Sequence, residues 1–432
     1  MQWLKEPTIS SSKPGDNFSK STGTSDTEAI VKTILAKIKN SGDRALKEYT
    51  EKFDGVRLEQ LKVDKSSIES AYNYIDAQTL DAVKTAAKNI ETFARHQLNS
   101  LKNLEFEISP GVVLGHRLVP VSRVGCYIPA GRYPLPSSAL MSIIPAKTAG
   151  VSHVTACAPP VKSEDLPGEF PIHPLILAAM DTAGADEIYC MGGAQAIAAY
   201  AFGTESVPPV DMIVGPGNRF VVEAKRQLHG LVGIDSLAGP SEALIIADQT
   251  ADAEHVAMDL LAKCEHDTDA VAILVTPSKS LAEETLKTME KKLPTLETTA
   301  VAGESWDKHG EVVVCDTLNQ AVDIANNKAP EHLQLMLEQP EDLIPYLTNY
   351  GSLFIGHHAP VAFGDYCSGT NHILPTNRSA QHSSGLWVGN FIKVLSYQKI
   401  DPEGAKSLAD TCAILAEQEG LFAHKYSAQL RK

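Results

Sequence analysis

Titratable and amide side chains are concentrated in the segment GDYCSGTNHILPT, residues 364–376, which follows the apolar stretch SLFIG. Asp365, Tyr366, Asn371 and His372 lie there among glycines. This composition is typical of a loop after a strand, where polar groups converge and glycines let the backbone turn tightly. An ordinary polar turn is the alternative, because Asn and Gly are common turn residues. The two titratable residues Asp365 and His372 favour a binding or catalytic loop.

A second candidate is the Glu331–His332 pair in APEHLQLM, residues 329–336. Histidine titrates near neutral pH and a neighbouring carboxylate raises its basicity, so the pair suits general acid/base chemistry. The same residues could instead begin a helix, since a glutamate in the first turn interacts favourably with the helix dipole. The residues alone leave both interpretations open.

Asp365, His266 and His424 form a His/His/carboxylate set that suits zinc or another borderline divalent metal. His266 lies near the end of a predicted helix in LLAKCEHD, three positions after Lys263 and on the same face. A histidine at a helix end is usually a dipole contact, and a histidine in a C-terminal tail usually lies on the surface. Spacing along the chain does not establish that the three side chains meet.

Glycine-bearing segments follow several apolar runs, namely CMGGAQ (190–195), GPGNRF (215–220) and AGPSEA (238–243). Helix N-termini bind phosphate through free N–H groups and the helix dipole, and glycines allow close approach. Phe220 stands where the dinucleotide fingerprint has its third glycine, so a plain tight turn is the alternative. For Ser241 in AGPSEA, a helix or turn cap is the simpler interpretation of the motif alone.

Alternating strands and helices are the elements that would position these residues. Residues 26–98 predict helices, and GAKSLADTCAILAEQEGLFAHKYSAQLRK predicts a C-terminal helical tail that packs on something else, such as a second subunit. Between them, the alternation predicts mostly parallel sheets, and its two successive arrays predict two related Rossmann-like α/β lobes with a cleft between them. The predicted strands are VGCYIP, HVTACAP, EIYCMGG and MIVGPGN in one array, and EALIIAD, AVAILVT, EVVVCD and SLFIG in the other.

Bulk properties argue against several classes of protein. The chain has 432 residues, enough for more than one core, and its formal charge of −15 argues against nucleic acid or an anionic membrane as the main partner. We expect no membrane span and a cytoplasmic location, because the sequence has neither a long apolar run nor an N-terminal signal pattern. Seven cysteines without a CxxC pair suit free thiols in a reducing compartment.

Taken together, these segments resemble the histidinol dehydrogenase family over nearly the whole chain. The motifs that carry the resemblance, in the family order, are VGCYIPAGRYPLPSSALMSIIPAKTAG, MGGAQAIAAYAFGTE, VGPGNRF, EAKRQLHG, GIDSLAGPSEALIIAD, CEHD, APEHLQL, GDYCSGTNHILPT and the tail HK. The resemblance implies an NAD-dependent, zinc-containing enzyme that oxidises a primary alcohol to a carboxylate through an aldehyde, as from L-histidinol to L-histidine. It also implies an intertwined homodimer in which the tail completes the partner's site.

The corresponding division of the chain has four parts. These are a flexible arm (1–25), a first α/β lobe with a helical N-terminal part (26–123 and 241–384), a second, NAD-binding α/β lobe (124–240), and a dimerisation tail (385–432).

Residue roles follow from the matching motifs. Tyr127, Gln195 and Asn218 would contact NAD. Glu331 and His332 would be the acid/base pair, in which the histidine takes the alcohol proton and the glutamate helps to activate water. The substrate contacts implied are Ser241, Lys263, His266, His332, Asp365, His372, Glu419 and His424.

The resemblance also implies that His266, Asp365 and His424 bind zinc, which would act as a Lewis acid on the substrate oxygen. The sequence departs from the family at Lys263, where the family has a glutamine ligand. A protonated lysine has no lone pair for a metal ion and repels it. We therefore expect three protein ligands, with a deprotonated Lys263 or a weak or absent metal as alternatives.

The sequence alone leaves the identity of the substrate open. GRYPLPSS and GLWVGNFIKVLSYQ are similar to the sulfopropanediol dehydrogenase branch of the family, which performs the same chemistry on 2,3-dihydroxypropane-1-sulfonate. Arg132 and Arg378 are candidate contacts for its sulfonate, although each could be a solvated surface arginine. A catalytically lapsed family member is a third alternative, which Lys263 favours and the retained Glu331 and His332 oppose.

Overall fold

The computed structural model of the chain describes residues 4–5, 25–130, 133–161 and 170–432. Most of the predicted N-terminal arm and the candidate anion contact Arg132 therefore lie outside the described residues. Two residues of the arm form the short strand β1 (Leu4–Lys5). The flexibility of the remaining arm stays a prediction.

The N-terminal region is helical, as predicted, and is followed by two strands. Its long first helix is interrupted at Gly42, whose φ of 48° is not helical. The elements are α1 (Ser25–Asp54), α2 (Lys65–Ala71), α3 (Ala77–Ser100), β2 (Leu104–Ser109) and β3 (Val112–Pro120).

The next part of the chain forms a parallel sheet, with helices between its strands. Its elements are β4 (Arg123–Tyr127), α4 (Pro136–Thr148), β5 (His153–Ala158), α5 (Pro174–Thr182), β6 (Glu187–Cys190), α6 (Gly193–Phe202), β7 (Met212–Val214), α7 (Arg219–Leu228) and β8 (Gly233–Ile234). The five strands have the order β6-β5-β4-β7-β8. The central strands are almost fully buried, because helices cover both faces of a parallel sheet.

A second parallel sheet follows. Its elements are β9 (Glu242–Ala247), α8 (Ala253–Cys264), β10 (Val271–Thr276), α9 (Lys279–Lys292), α10 (Thr299–His309), β11 (Glu311–Val314), α11 (Leu318–Lys328), β12 (His332–Met336), β13 (Ser352–Ile355) and α12 (Val361–Tyr366). Together with β1 at one edge, the strands have the order β1-β11-β10-β9-β12-β13. Apart from β1, the two parallel sheets share one strand order, in which the first strand of each array is central.

Strand β12 was not among the predicted strands. One interpretation of its sequence placed Glu331 in the first turn of a helix, and the structure contradicts that interpretation. Helix α11 ends at Lys328, the next residue Ala329 adopts a left-handed conformation with φ of 47°, and the chain enters a fully buried strand at His332. Glu331 therefore precedes a strand at the centre of the sheet.

The N-terminal helices pack on the five-stranded lobe, although the sequence division placed residues 26–123 with the other one. Buried side chains of α1 share a core with Tyr189 and Ile213, and those of α3 share one with Val124 and Val154. The division failed here because neighbouring positions along the chain do not decide which sheet a helix covers.

The C-terminal region contains a strand that sequence patterning did not identify. Strand β14 (Ile392–Ile400) pairs antiparallel with β3, which also pairs with β2. Two helices follow, α13 (Pro402–Gln418) and α14 (Phe422–Gln429). Large apolar side chains on this sheet and on the two helices are exposed in the single chain, namely Leu104, Phe106, Ile108, Val394, Leu395, Ile414, Leu415, Phe422, Tyr426 and Leu430.

The helices of the described residues were also compared with the length and hydropathy that a membrane crossing needs. None of them meets both requirements.

Candidate active site

Ser241 and Glu331 meet at the amino edge of the six-stranded sheet. Strands β9 and β12 are parallel neighbours with His332 opposite Ala243, so the residues that precede the two strands lie side by side. The Ser241 hydroxyl donates to Glu331 Oε2 at 2.7 Å, and the backbone N–H of Glu242 donates to the same oxygen at 2.8 Å. Ser241 thus contacts a buried carboxylate and does not cap a helix.

Lys263 reaches this pair from the last turn of α8. Its side chain is 2% exposed, and Nζ donates to Ser241 Oγ at 3.0 Å. Nζ also lies 3.6 Å from Asp365 Oδ2, and His266 Nε2 lies 3.7 Å from the same oxygen. Both side chains approach Asp365, although α8 ends at Cys264 and His266 therefore lies beyond the helix on which a shared face was predicted.

Asp365 is held over the cluster by α12, a short helix that the sequence did not predict. Gly364 packs against Phe354 of β13 so closely that a Cβ there would lie 2.5 Å from the ring. This close packing places the next residue, Asp365, at the edge of the sheet, where its side chain is 9% exposed. The segment 364–376 therefore does carry a cluster residue next to a strand, although Asp365 itself lies on a helix.

His332 has one ring nitrogen occupied and one free. Nδ1 lies 2.9 Å from the carbonyl oxygen of Glu242, which can only accept, so Nδ1 carries a proton and donates it. Nε2 lies 3.2 Å from Asp365 Oδ1 without hydrogen-bond alignment, and it is buried with no hydrogen-bond partner among the described residues. A buried ring nitrogen without a partner is costly for folding, which makes it a candidate for function.

The loop after Asp365 ties the cluster to the five-stranded lobe. His372 Nδ1 lies 2.7 Å from the backbone oxygen of Asp365, and the Asn371 amide donates to the backbone oxygen of Met141 at 2.8 Å. Ile373 lies in the core of the five-stranded lobe. His372 is thereby placed between the two lobes.

The charges of the cluster shift one another's protonation. Burial raises the pKa of Asp365, but Lys263 and His332 together hold it far below its ordinary value. Burial opposes ionisation of Glu331 as well, and His332 and Lys263 still lower its pKa. For His332, burial and Lys263 lower the pKa, but Glu331 and Asp365 outweigh them and raise it to about 9. Lys263, followed by burial, lowers the pKa of His266 to about 4.

The candidate NAD contacts lie at the carboxyl edge of the five-stranded sheet. Tyr127 ends β4, and its buried hydroxyl accepts from the Gly193 N–H at 3.2 Å. Gln195 lies in the first turns of α6 after β6, and it is 2% exposed. Asn218 follows β7 and caps α7, because its side chain accepts from the N–H groups of Phe220 and Val221. The three residues follow three strands of one sheet, on the edge where doubly wound folds bind dinucleotides.

A buried ion pair fixes the backbone of the GPGN segment. The sequence analysis did not identify this pair. Lys225 Nζ donates to the Gly215 backbone oxygen and to Asp235 Oδ1, both at 2.6 Å, and the Gly215 N–H donates to Asp235 Oδ2 at 2.7 Å. The side chains of Lys225 and Asp235 are each 3% exposed. A lysine among the apolar positions of VVEAKRQL was the available signal, because an unpaired lysine would not be buried there.

Glu419 and His424 are not brought to the cluster within one chain. Both are exposed on the tail, and no ion pair or hydrogen bond of the described residues joins either one to His266 or Asp365. In the described part of one chain, no three His, Cys, Asp or Glu side chains are arranged to hold a metal ion. The zinc set and the substrate contact of Glu419 stay predictions.

Comparisons with known proteins identify the family. The family model of histidinol dehydrogenase matches residues 18–432. The chain belongs to the histidinol dehydrogenase family. It is 46% identical over 404 residues to a "Histidinol dehydrogenase homolog" of Shouchella clausii, with 94% of both proteins covered. It is 44% identical over 401 residues to the histidinol dehydrogenase of Methanothermobacter thermautotrophicus, with 93% of this chain and 92% of that protein covered.

The fold is similar to that of a solved family member. The crystal structure of histidinol dehydrogenase from Elizabethkingia anophelis matches with a TM-score of 0.90 and 37% identity, over 97% of this chain and 96% of that one. The predicted family and the predicted mixed α/β fold with parallel sheets are thus confirmed, and the chain is assigned to the oxidoreductases of this family.

Proposed function

We propose that this chain is an NAD-dependent dehydrogenase that oxidises a small primary alcohol to a carboxylate through an aldehyde, with L-histidinol as the first candidate substrate. The observation that carries the proposal is the buried Nε2 of His332, which has no hydrogen-bond partner among the described residues. It lies in a cluster of two carboxylates and one ammonium, at the edge of a sheet and beside a second lobe. The neighbouring carboxylates raise the pKa of His332 to about 9, which makes its deprotonated form basic enough to take a proton from an alcohol.

The reaction has two half-reactions. The alcohol R–CH2OH gives its hydroxyl proton to a base and a hydride from carbon to NAD⁺, which yields R–CHO, NADH and H⁺. Water adds to the aldehyde, and the hydrate R–CH(OH)2 gives a second hydride to a second NAD⁺ and ends as R–COO⁻ with two further protons. The sum converts one alcohol, two NAD⁺ and one water into one carboxylate, two NADH and three protons, with the hydride chemistry supplied by the cofactor.

The acid/base pair acts from its observed hydrogen bonds. The deprotonated form of His332 takes the alcohol proton at Nε2, because its Nδ1–H is already donated to the Glu242 oxygen. Since Glu331 and Asp365 raise the pKa of His332 to about 9, this form is a strong base and becomes more populated as the pH rises. The Glu331 hydrogen bonds from Ser241 and from the backbone of Glu242 both go to Oε2, so Oε1 is available to orient the water that attacks the aldehyde. Ser241 and His372 would contact the substrate from opposite sides of the junction between the lobes.

NAD would bind at the carboxyl edge of the five-stranded sheet. Tyr127, Gln195 and Asn218 are the proposed contacts, and the positive end of the α7 dipole would favour a phosphate group there. The residues 235–241 join this edge to Ser241. A stretch of this length spans at most about 20 Å, which is the upper limit for the distance between Asp235 and Ser241.

The functional unit would be a homodimer. Large apolar side chains of β2, β14, α13 and α14 are exposed in the single chain, and a group of such side chains is typical of a protein–protein interface. Pairing two copies through this surface would bury it and would carry Glu419 and His424 to the substrate site of the second copy. Light scattering of the full chain tests the dimer, and a stable monomer at micromolar concentration would contradict it.

Zinc, which the family implies, does not fit the donor set of this chain well. His266 Nε2 and Asp365 Oδ2, at 3.7 Å, could share one ion. The Lys263 ammonium, however, lies 3.6 Å from the same carboxylate oxygen, has no lone pair and repels a dication. The expected three-ligand site would need His424 from a second copy in addition. We therefore assign no step of the reaction to zinc.

A sulfonated diol is the second candidate substrate. Arg378 follows the cluster loop in a left-handed conformation with φ of 65°, and it takes part in none of the ion pairs of the described residues. The backbone N–H of its neighbour Asn377 donates to Glu242, one residue after Ser241. A half-buried guanidinium at this place suits a sulfonate, and no comparable partner is needed for histidinol.

The experiment is a panel of alcohols assayed for NADH formation with the full chain, including histidinol and 2,3-dihydroxypropane-1-sulfonate. We expect two NADH per alcohol consumed for the true substrate, and loss of this activity in Glu331→Gln. The exposed Glu283→Gln on α9 is the matched control and keeps full activity. Absence of turnover with every alcohol would contradict the proposal and favour a lapsed enzyme.

A further inference from the structure

The Lys263 ammonium has fewer acceptors around it than its burial requires. Of its three N–H groups, one donates to Ser241 Oγ at 3.0 Å. Asp365 Oδ2, at 3.6 Å, is an ion-pair partner beyond ordinary hydrogen-bond distance. A side chain that is 2% exposed gains little from water, so donor capacity remains for a bound group inside the cluster.

Lys225 is the other fully buried lysine that forms an ion pair, and its ammonium is saturated with hydrogen-bond acceptors. Its Nζ has two acceptors at 2.6 Å, the Gly215 oxygen and Asp235 Oδ1, and it closes a loop. Lys263 does not hold a backbone loop in place. Its Nζ approaches Asp365 Oδ2, and His332 Nε2 approaches Oδ1 of the same carboxylate, so the two nitrogens lie beside each other. A substrate oxygen that is within reach of His332 Nε2 is therefore also close to the Lys263 N–H groups.

We propose that the Lys263 ammonium is the built-in electrophile of this site, that it donates a hydrogen bond to the reacting oxygen of the substrate, and that the oxidation consequently needs no metal ion. This inference rests on the proposed dehydrogenase function. In each half-reaction the O–H proton goes to His332 and the hydride goes from carbon to NAD⁺. The ammonium is not consumed, because it only stabilises the negative charge that develops on oxygen as the proton leaves.

The charges of the cluster also favour the Lys263 ammonium over a metal ion. The buried carboxylates of Glu331 and Asp365 already have the Lys263 ammonium and the His332 imidazole as partners within 4 Å. A dication next to Asp365 would compete with Lys263 for the same oxygen, at a distance where two positive charges repel strongly in a buried site. A fixed N–H donor costs no such repulsion and is already oriented before the substrate arrives.

The test combines metal content, metal affinity and rate on the full-length protein. Protein is purified without added zinc and treated with a chelator. Zinc is then measured by mass spectrometry, its affinity by calorimetry with zinc chloride, and alcohol oxidation with and without chelator. The variants are Lys263→Gln, which restores the family's ligand type, Lys263→Met, which removes the charge, and Lys263→Arg, which keeps it. Lys292→Gln, an exposed lysine in another ion pair, is the control.

We expect the unaltered chain to carry far less than one zinc per chain and to keep its rate in chelator. Lys263→Met lowers kcat about 100-fold or more, the usual cost of removing an oxyanion donor. Lys263→Arg retains a chelator-resistant fraction of the rate, which separates loss of charge from misfolding. Lys263→Gln binds zinc at least about tenfold more tightly than the unaltered chain, because a repelling charge becomes a neutral amide oxygen.

Stoichiometric zinc in the unaltered chain, with activity lost on its removal and restored by its return, would overturn the inference and leave the dehydrogenase function standing. Full kcat in a folded Lys263→Met would also overturn it. If no alcohol is oxidised at all, the proposed dehydrogenase function fails, but the zinc titration still tests the role of Lys263. Equal zinc affinity in the unaltered chain and in Lys263→Gln would then contradict the role of Lys263.

Discussion

Apart from β1, the two parallel sheets have the same strand order, and their candidate site residues lie at opposite edges. In the five-stranded sheet, the candidate NAD contacts Tyr127 and Asn218 follow their strands, at the carboxyl edge where open α/β sheets bind ligands. In the six-stranded sheet, Ser241 and Glu331 precede theirs, at the amino edge. A shared topology therefore does not decide which edge carries chemistry; the side chains at each edge do.

The buried lysines of the two lobes differ in the same way. Lys225 is saturated by Gly215 and Asp235 and holds a backbone loop in place. Lys263 has one hydrogen bond and a longer ion pair with Asp365. Burial of a charge is expensive in both cases. The saturated ion pair contributes to structure, and the unsaturated one is available to a substrate.

The largest expected effect is on the chemistry of the six-stranded lobe. His332→Ala removes the free buried acceptor, and kcat should fall about 10²- to 10⁴-fold, the usual range for a general base. His255→Ala, an exposed histidine on α8, is the control and keeps its rate. Steady-state NADH formation measures both. A His332→Ala variant with a normal rate would show that the amino edge does not carry the reaction.

The second expected effect is on stability, and it should distinguish the two lysines. Lys225→Met leaves Asp235 buried and unpaired, so the free energy of unfolding should fall by about 3–5 kcal/mol. Lys263→Met should cost less, because Asp365 keeps the His332 ring at 3.2 Å, and the pKa of that ring, raised to about 9, leaves it positively charged at neutral pH. Denaturant unfolding of both variants measures the difference. Equal losses would contradict the distinction between a structural and a functional lysine.

The third effect concerns the turn that Lys225 holds. Gly215 has φ of 114°, and a Cβ there would lie 2.0 Å from the Tyr127 backbone oxygen. Gly215→Ala should therefore raise the KM for NAD severalfold and destabilise the lobe. Gly230→Ala is the matched control, since Gly230 has φ of 97° but no atom within 4 Å of the added Cβ. Backbone strain alone should cost about 1–2 kcal/mol there. Similar effects on KM in both variants would exclude a special role of the close approach.

The smallest effect is a dependence of stability on pH at the boundary between the lobes. Burial raises the pKa of Glu242 from the ordinary 4.5 to about 7. The folded state then keeps a proton that the unfolded chain has lost, so this contribution is present below about pH 4.5 and is lost as the pH rises through 7. Glu242→Gln should remove the dependence. The free energies of unfolding of both proteins are measured between pH 5 and 8. The same dependence on pH in both proteins would contradict the contribution of Glu242.

Local sequence patterns predicted most elements and failed at particular ones. The runs EALIIAD and AVAILVT are apolar throughout, as buried parallel strands are, and both are strands. HLQLM is as deeply buried, but its short run directly after Pro330, Glu331 and a helix end gave no clear period. Strand β14 pairs with β3, which lies about two thirds of the chain away in sequence, and no local pattern reports such a distant partner.

The sequence by itself determined the family, the two βα arrays, and the residue types available for chemistry, because apolar periodicity and short motifs are local properties. It also predicted Lys263 at the end of a helix, and α8 does end one residue later, at Cys264. Only the tertiary structure brought the Lys263 ammonium between Ser241 and Asp365, set Asp235 against Lys225, and left His332 Nε2 without a partner. These contacts join separate crossovers of the two sheets, and strand order and register decide them, which no short stretch of sequence encodes.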